Sequence, residues 1–155
     1  MRIGLIIHSV TGNTLHVAKE LQKKLVEKGH DVVLDEIKTD GKVEFGATEA
    51  TFTSMPELNG YDLLVFGSHT EAFQLEVTMK IYFKEMESIA GRAICFATHQ
   101  FPFKWMGGTG TVKTMKALCE AKGLEVTGTS IINWSPESKR QSNIDAAIQE
   151  MIALV

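Results

Sequence analysis

Short apolar runs rich in β-branched residues alternate along this chain with longer segments whose apolar positions recur every three to four residues. Runs of the first kind predict strands, and segments of the second kind predict amphipathic helices. The predicted strands are 2–8, 31–36, 62–68, 92–98 and 127–132. The predicted helices are 14–28, 75–88, 111–122 and 142–154, and a further short helix is expected near 44–50, in the least regular stretch.

Local signals support the ends of several of these elements. Residues 2–8 are nearly all apolar, which is typical of a strand buried on both faces of a sheet. Gly29 follows the first helix and is suited to end it. Ser142 and Asp145 have the spacing of a capping box, which predicts that the last helix begins there.

The regular alternation of strands and helices predicts an α/β fold over residues 1–155, as a single domain. Such alternation produces right-handed crossovers and a doubly wound parallel sheet with helices on both faces. Ligands of these sheets bind beyond the carboxyl ends of the strands, where the strand order reverses. The functional residues are therefore expected in three loops, 9–14, 68–74 and 98–110.

The loop between the first strand and the first helix has the composition of an anion-binding turn. A glycine permits a tight turn, and the following helix offers unpaired N–H groups and a positive dipole end. There is no lysine of a Walker loop and no Gly-x-Gly-x-x-Gly fingerprint, so the loop suits one terminal phosphate. Its hydroxyls and amide could instead serve to cap the helix. The six residues are Ser9, Val10, Thr11, Gly12, Asn13 and Thr14.

This loop, entered from an apolar N-terminal strand, resembles the phosphate loop of the flavodoxin family. Tyr61-Asp62 at the start of the third strand and Gly67-Ser68 at its end are also similar to that family. The similarity in element order extends over essentially the whole chain. It implies a five-stranded sheet in the order 2-1-3-4-5 and non-covalent FMN. It also implies that Ser9, Thr11, Gly12, Asn13 and Thr14 hold the phosphate, with Val10 contributing its backbone.

The resemblance further implies that the loops after the third and fourth strands enclose the flavin ring. A flat aromatic ring favours aromatic or apolar surfaces on its faces. Phe73, Phe101, Phe103 and Trp105 are the candidates to cover it. The first loop comprises Ser68, His69, Thr70, Glu71, Ala72 and Phe73, and the second includes Thr98, His99, Gln100, Phe101 and Trp105.

The chain departs from the family pattern in two respects. Many flavodoxins have a glycine beside flavin N5, where a peptide can flip, whereas the last glycine here is Gly67. A flip would have to involve the Thr70-Glu71 or Glu71-Ala72 peptide. Flavodoxins are also usually more acidic than this chain. Negative charge near the flavin destabilises the anionic hydroquinone and lowers the reduction potential. With fewer negative charges, this chain is expected to lower the potential of its flavin to a smaller extent.

Three histidines fall at or just beyond the ends of neighbouring predicted strands, namely His8, His69 and His99. Three interpretations remain open. They are unrelated polar residues at strand ends, or one or two of them flank the flavin and titrate near neutral pH, or they bind a metal. In the second case we expect His69 or His99 to make flavin reduction dependent on pH.

Composition limits the classes of partner and the compartment that we expect for this chain. The net charge of -3 and the lack of a basic cluster argue against nucleic acid. No apolar run is long enough to span a membrane, and the N-terminus lacks the features of a signal peptide, so we expect a cytoplasmic protein. Cys95 and Cys119 are far apart in sequence and are expected to be buried thiols, with a redox or disulfide role as the alternative.

The favoured function is a flavodoxin-type electron carrier that shuttles electrons between redox partner proteins through FMN. In such a carrier no side chain acts as a catalyst, because the cofactor supplies the chemistry. One alternative is an FMN-dependent NAD(P)H or quinone oxidoreductase. A second alternative is a flavin-free binding module of the same fold. The sequence predicts neither the donor and acceptor nor the oligomeric state.

Overall fold

The computed structural model describes residues 1–155, in which eight strands and four helices follow one another along the chain. The strands are β1 (Arg2–Ile7), β2 (Asp31–Glu36), β3 (Lys38–Thr39), β4 (Phe52–Ser54), β5 (Leu63–Glu71), β6 (Gln74–Leu75), β7 (Gly91–His99) and β8 (Leu124–Asn133). The helices are α1 (Asn13–Glu27), α2 (Val77–Glu85), α3 (Gly108–Ala121) and α4 (Glu137–Ile152).

Five strands form one parallel sheet in the order β2-β1-β5-β7-β8. Counting only these strands, the order is 2-1-3-4-5, so the predicted α/β fold and strand order are confirmed. Ile3 of β1 pairs with Val32 on one side and with Leu63 on the other, which places β1 inside the sheet. The strand order reverses between β1 and β5, where parallel sheets bind their ligands.

Apolar side chains cover both faces of the sheet, which explains why the central strands read as continuous apolar runs. On one face, Leu5 of β1 belongs to a core cluster with residues of α1 and α4. On the other face, Phe66 of β5 belongs to a cluster with residues of α2 and α3. Helices therefore pack on both faces, as predicted. No helix is both long enough and apolar enough to cross a lipid bilayer.

The short helix predicted near 44–50 is wrong. Gly46 lies in the middle of that segment with a φ of 83°, a left-handed conformation that interrupts a helix. The segment instead joins β3 to β4, which pair as an antiparallel ribbon beside the main sheet.

The predicted start of the last helix is also wrong. The helix begins at Glu137, directly after Pro136, rather than at Ser142. The Ser142 hydroxyl lies inside the helix and donates to the carbonyl of Lys139 instead of capping an end. Proline lacks an N–H group and has a fixed φ, so it is compatible with the position before the first turn.

Two strands continue further than predicted. His69, Thr70 and Glu71 extend β5 beyond the predicted end at Ser68, and His99 extends β7 beyond the predicted end at Thr98, so these residues lie in strands rather than in loops. Cross-strand pairing explains the extension, because Thr70 and Glu71 pair with the short strand β6. This correction matters for the site, since it fixes the backbone of residues that were expected to be free.

Candidate functional site

The loop after β1 leads into a helix whose N-cap residue has no side chain. Gly12 is the N-cap of α1, with a φ of 91° and no side chain to satisfy the first amides. A Cβ built on Gly12 would meet no protein atom within 4 Å. The hydroxyls and the Asn13 amide therefore do not occupy the N-cap position, although Ser9 Oγ accepts a hydrogen bond from Leu15 N at 3.2 Å. The amides of the first turn keep the positive end of the helix dipole accessible.

A buried hydrogen bond ties this loop to β7. Thr14 Oγ1 and Thr98 Oγ1 lie 2.9 Å apart, and both residues are buried. By contrast, Val10, Thr11 and Gly12 are exposed. The loop thus combines a fixed base with a tip that a ligand can reach.

The turn between β5 and β6 is held in an unusual conformation. Ala72 and Phe73 have φ values of 47° and 63°, the left-handed pair typical of a two-residue hairpin turn. Gly107 lies against this turn, because a Cβ at that position would come within 2.7 Å of Phe73 Cα. The two loops that were expected to enclose a ring therefore touch each other here.

Exposed aromatic side chains cover the same edge as two stacked pairs. Phe73 and Phe101 stack with their centroids 5.1 Å apart and an interplanar angle of 15°. Phe103 and Trp105 stack at 5.9 Å, and the Trp105 side chain is 75% exposed. Large exposed apolar groups concentrated in this way are typical of a binding surface.

Next to the first loop, the His8 imidazole forms a hydrogen bond with the Glu76 carboxylate. His8 Nδ1 lies 2.8 Å from Glu76 Oε1, and Glu76 is buried. The same carboxylate accepts from Thr78 N at 2.7 Å and Met79 N at 2.8 Å, so it caps α2. Ser68 also donates to it at 3.4 Å. Burial raises the pKa of Glu76, but the hydrogen bond and charge of His8, the charge of His69 and the Thr78 amide outweigh burial and lower it overall.

His69 lies beside this pair. Its ring centroid is 6.2 Å from that of His8, and one ligand atom from each of His8, His69 and Glu76 can be chosen so that all lie within 4.8 Å of one another. Burial lowers the pKa of His69, with His8 acting in the same direction and the nearby Glu76 carboxylate opposing it. The imidazole is therefore neutral at pH 7.

His99 is not part of this group. It is buried, and its Nε2 bonds to Asn133 Oδ1 at the end of β8. Burial lowers the pKa of His99 and the Asn133 bond opposes that effect. The structure thus brings together two of the three histidines that the sequence placed at this edge.

A cavity of about 560 Å³ opens beside the His8–Glu76 pair. Its wall includes His8, Ser9, His69 and Glu76, together with Lys38 and Lys42 from the segment after β2. This volume is within the range of small-ligand pockets.

The predicted site residues thus occupy three settings. Ser9 to Asn13 form the first loop and Thr14 its buried base, while Ala72, Phe73, Gln100, Phe101 and Trp105 lie on the turns beyond β5 and β7. The third set, in strand ends, is Ser68, His69, Thr70, Glu71, Thr98 and His99. Thr70 Oγ1 bonds to Thr111 Oγ1 at 2.8 Å.

Sequence reasoning missed Glu76, Asn133 and the wall formed by Lys38 and Lys42. Glu76 was assigned to the body of a helix beginning at 75, whereas the structure makes it the N-cap of α2. A carboxylate just before a helical segment is a capping signal, and it could have identified this position.

Comparison with known proteins places the fold. No protein-family profile and no curated protein sequence matches the chain. Among solved structures, a flavoprotein from Lactobacillus acidophilus in complex with FMN matches with a TM-score of 0.66 and 16% identity, over 94% of this chain and 97% of the other. Oxidised flavodoxin 1 from Bacillus cereus matches with a TM-score of 0.69 and 17% identity, over 99% and 97%. A flavodoxin mutant from Pseudomonas aeruginosa matches with a TM-score of 0.70 and 14% identity, over 99% and 98%.

These three matches extend over nearly the full length of the chain, although few residues are identical. The chain therefore has the flavodoxin-like fold.

Proposed function

We propose that the protein binds FMN non-covalently and carries electrons between redox partner proteins. The observation that carries this proposal is the start of α1, where Gly12 offers no side chain to cap the helix, at the point where the strand order reverses. Helix N-termini in this position are suited to phosphate. The FMN-bound flavoprotein among the structural neighbours supports the same ligand.

The chemistry of the loop fits a single phosphate group. Ser9 Oγ accepts from Leu15 N and keeps its own hydrogen to donate, and the exposed Thr11 adds a second hydroxyl. Asn13 adds an amide, and no cationic side chain lies in the loop. With backbone amides as the main donors, the loop would hold the phosphate without a lysine.

The aromatic pair across the two turns fits a flat ring. Phe73 and Phe101 come from different loops and already stack. A flavin between them would need their separation to grow from 5.1 Å to about 7–8 Å, two stacking distances. Phe73 and Phe101 are 58% and 40% exposed, so moving them apart would displace solvent and would not disrupt the packing of the core.

Bound FMN would supply the redox chemistry, and the protein's own groups would set its environment. Phe103 and Trp105 extend from the same edge into solvent, and they offer an apolar surface to a docking redox protein. We further propose the cytoplasm as the compartment. That setting suits Cys95 and Cys119, whose buried thiols lie 3.7 Å apart without a disulfide.

The test is an anaerobic reductive titration of the FMN-reconstituted protein, followed by its visible spectrum. Reduction in two separate one-electron stages supports a carrier. No yellow complex after addition of FMN would contradict the proposal and favour a flavin-free binding module.

A second candidate is an FMN-dependent NAD(P)H or quinone oxidoreductase. The observation that favours it is the cavity of about 560 Å³ adjoining the first loop at Ser9, which is large enough for a second small molecule. Rapid reduction of the bound flavin by NAD(P)H, with no other protein present, would select this function over the carrier.

A further inference from the structure

We propose that His8, His69 and Glu76 form a binding site for a divalent transition-metal ion such as Zn²⁺. The inference rests on the side-chain geometry of these three residues and not on FMN binding, although His69 is also among the residues predicted to enclose the flavin. Two imidazoles and one carboxylate are a ligand set typical of zinc and related ions, in which a further position stays open to water or substrate.

The distances are close to those a metal requires. Two ligands at about 2.0–2.1 Å from a tetrahedral ion lie about 3.3 Å from each other. His8 Nδ1 and Glu76 Oε1 are 2.8 Å apart, and the ligand atoms of all three residues lie within 4.8 Å. Binding therefore needs the first pair to open by about 0.5 Å and His69 to approach by about 1.5 Å at most.

The carboxylate is fixed before any ion arrives. Thr78 N and Met79 N donate to Glu76, and Ser68 Oγ does so from β5. A carboxylate has about four lone-pair positions, so the ion would take the one that His8 now occupies. The Nδ1 lone pair of His8 would then bond to the metal, and its proton would move to Nε2 or be released to solvent.

Glu76 caps α2 and His8 bonds to that cap, but capping does not explain His69. The His69 imidazole forms no side-chain hydrogen bond, yet it lies beside the pair and lines the same cavity. A partly buried imidazole with its nitrogens free, next to a fixed carboxylate, is arranged to bind a ligand rather than to stabilise α2.

The charged groups around the cavity are nearly balanced. Glu36 and Glu71 line the cavity with Glu76, against the two ammonium groups of Lys38 and Lys42. The cavity gives the ion a route in from solvent and leaves room for its open position.

The experiment is a calorimetric titration of untagged, EDTA-treated protein with Zn²⁺, repeated with Co²⁺ while the visible spectrum is recorded. The background variant is His30→Gln, because His30 Nδ1 lies 3.4 Å from the N-terminal amine and could hold an ion there. We expect one Zn²⁺ per chain and a Co²⁺ spectrum distinct from that of the hydrated ion.

His69→Gln is the decisive variant, because it removes a ligand without removing a hydrogen bond. We expect its Zn²⁺ affinity to fall at least about 100-fold, since losing even an outer partner of a metal site costs 10–100-fold. His8→Gln and Glu76→Gln should do the same, and urea unfolding would verify that each variant folds. His16→Gln is the matched control, because His16 is exposed and contacts Glu20 on α1. Absence of Zn²⁺ binding in the His30→Gln background, or equal binding by His69→Gln, would overturn the proposal.

Discussion

The hydroxyl groups of Thr14 and Thr98 lie 2.9 Å apart, and each is the other's only side-chain hydrogen-bond partner. Thr14 is in the first turn of α1 and Thr98 is near the end of β7, so this bond joins the first loop to the strand before the aromatic loop. Both residues are almost fully buried, at 1% and 2% exposure.

Replacing either threonine with valine should destabilise the protein more than replacing both. Thr98→Val leaves the Thr14 hydroxyl buried without a partner, which costs about 1–3 kcal/mol, and Thr14→Val has the same effect on Thr98. The double variant removes both polar groups at nearly constant shape, so it should be close to wild type. Urea unfolding of the four proteins as a double-mutant cycle measures this. Additive losses would show that the hydroxyls do not depend on each other.

Gly12→Ala should weaken FMN binding beyond what its effect on the stability of the fold explains. The positive φ of 91° costs an alanine about 1–2 kcal/mol. No protein atom lies within 4 Å of the new Cβ, so any further obstruction falls on a ligand in the loop. We expect at least tenfold weaker FMN binding, measured by quenching of flavin fluorescence.

Gly29→Ala is the matched control for that variant. Gly29 has a φ of 88° and equally open surroundings, but it lies at the opposite end of α1. Its stability loss should be similar and its FMN affinity unchanged. Equal weakening by both variants would mean that the effect is only lost stability.

The sequence predicts the position of the first loop well because the signals that define it are local. Gly12 and the residues around it form a turn between one strand and one helix, and the periodicity identifies both elements. The sequence did not identify Glu76 as a site residue, because its role depends on contact with His8, which lies 68 residues earlier in the chain. The carboxyl ends of β5 and β7 were predicted too early for a similar reason, because pairing with β6 and β8 extends these strands. Partners that are distant in sequence leave no periodic signal.

Stability should fall as the pH drops below about 6.5, because the folded protein disfavours protonated His69 and His99. Burial lowers the pKa of both imidazoles from 6.5, so the unfolded chain takes up protons that the native state does not. The native state is thus favoured above 6.5, and that advantage is lost as pH falls towards the folded pKa values. Each group contributes at most about 1.4 kcal/mol per pH unit.

Chemical unfolding of wild type and His99→Gln between pH 5 and 8 tests this linkage. The variant should show a smaller slope of unfolding free energy against pH below 6.5, whatever its stability at pH 8. His16→Gln removes an exposed histidine and serves as the comparison. An unchanged slope in His99→Gln would show that His99 does not contribute to the pH dependence of stability. Because burial lowers the pKa of His69 and of His99, any effect of these residues on flavin reduction is expected towards the acidic end of this pH range.

The two stacked aromatic pairs should respond differently to FMN. Phe73 and Phe101 join separate loops, so a ring inserted between them would gain a face from each. Phe103 and Trp105 belong to one loop and stack on each other in solvent. Phe101→Leu should therefore weaken FMN binding roughly two- to twelvefold, the equivalent of 0.5–1.5 kcal/mol of aromatic contact. Phe103→Leu is the matched control in the same loop and should leave FMN affinity unchanged. Equal losses in the two variants would place the flavin against the whole loop, and a loss confined to Phe103→Leu would place it against the outer pair.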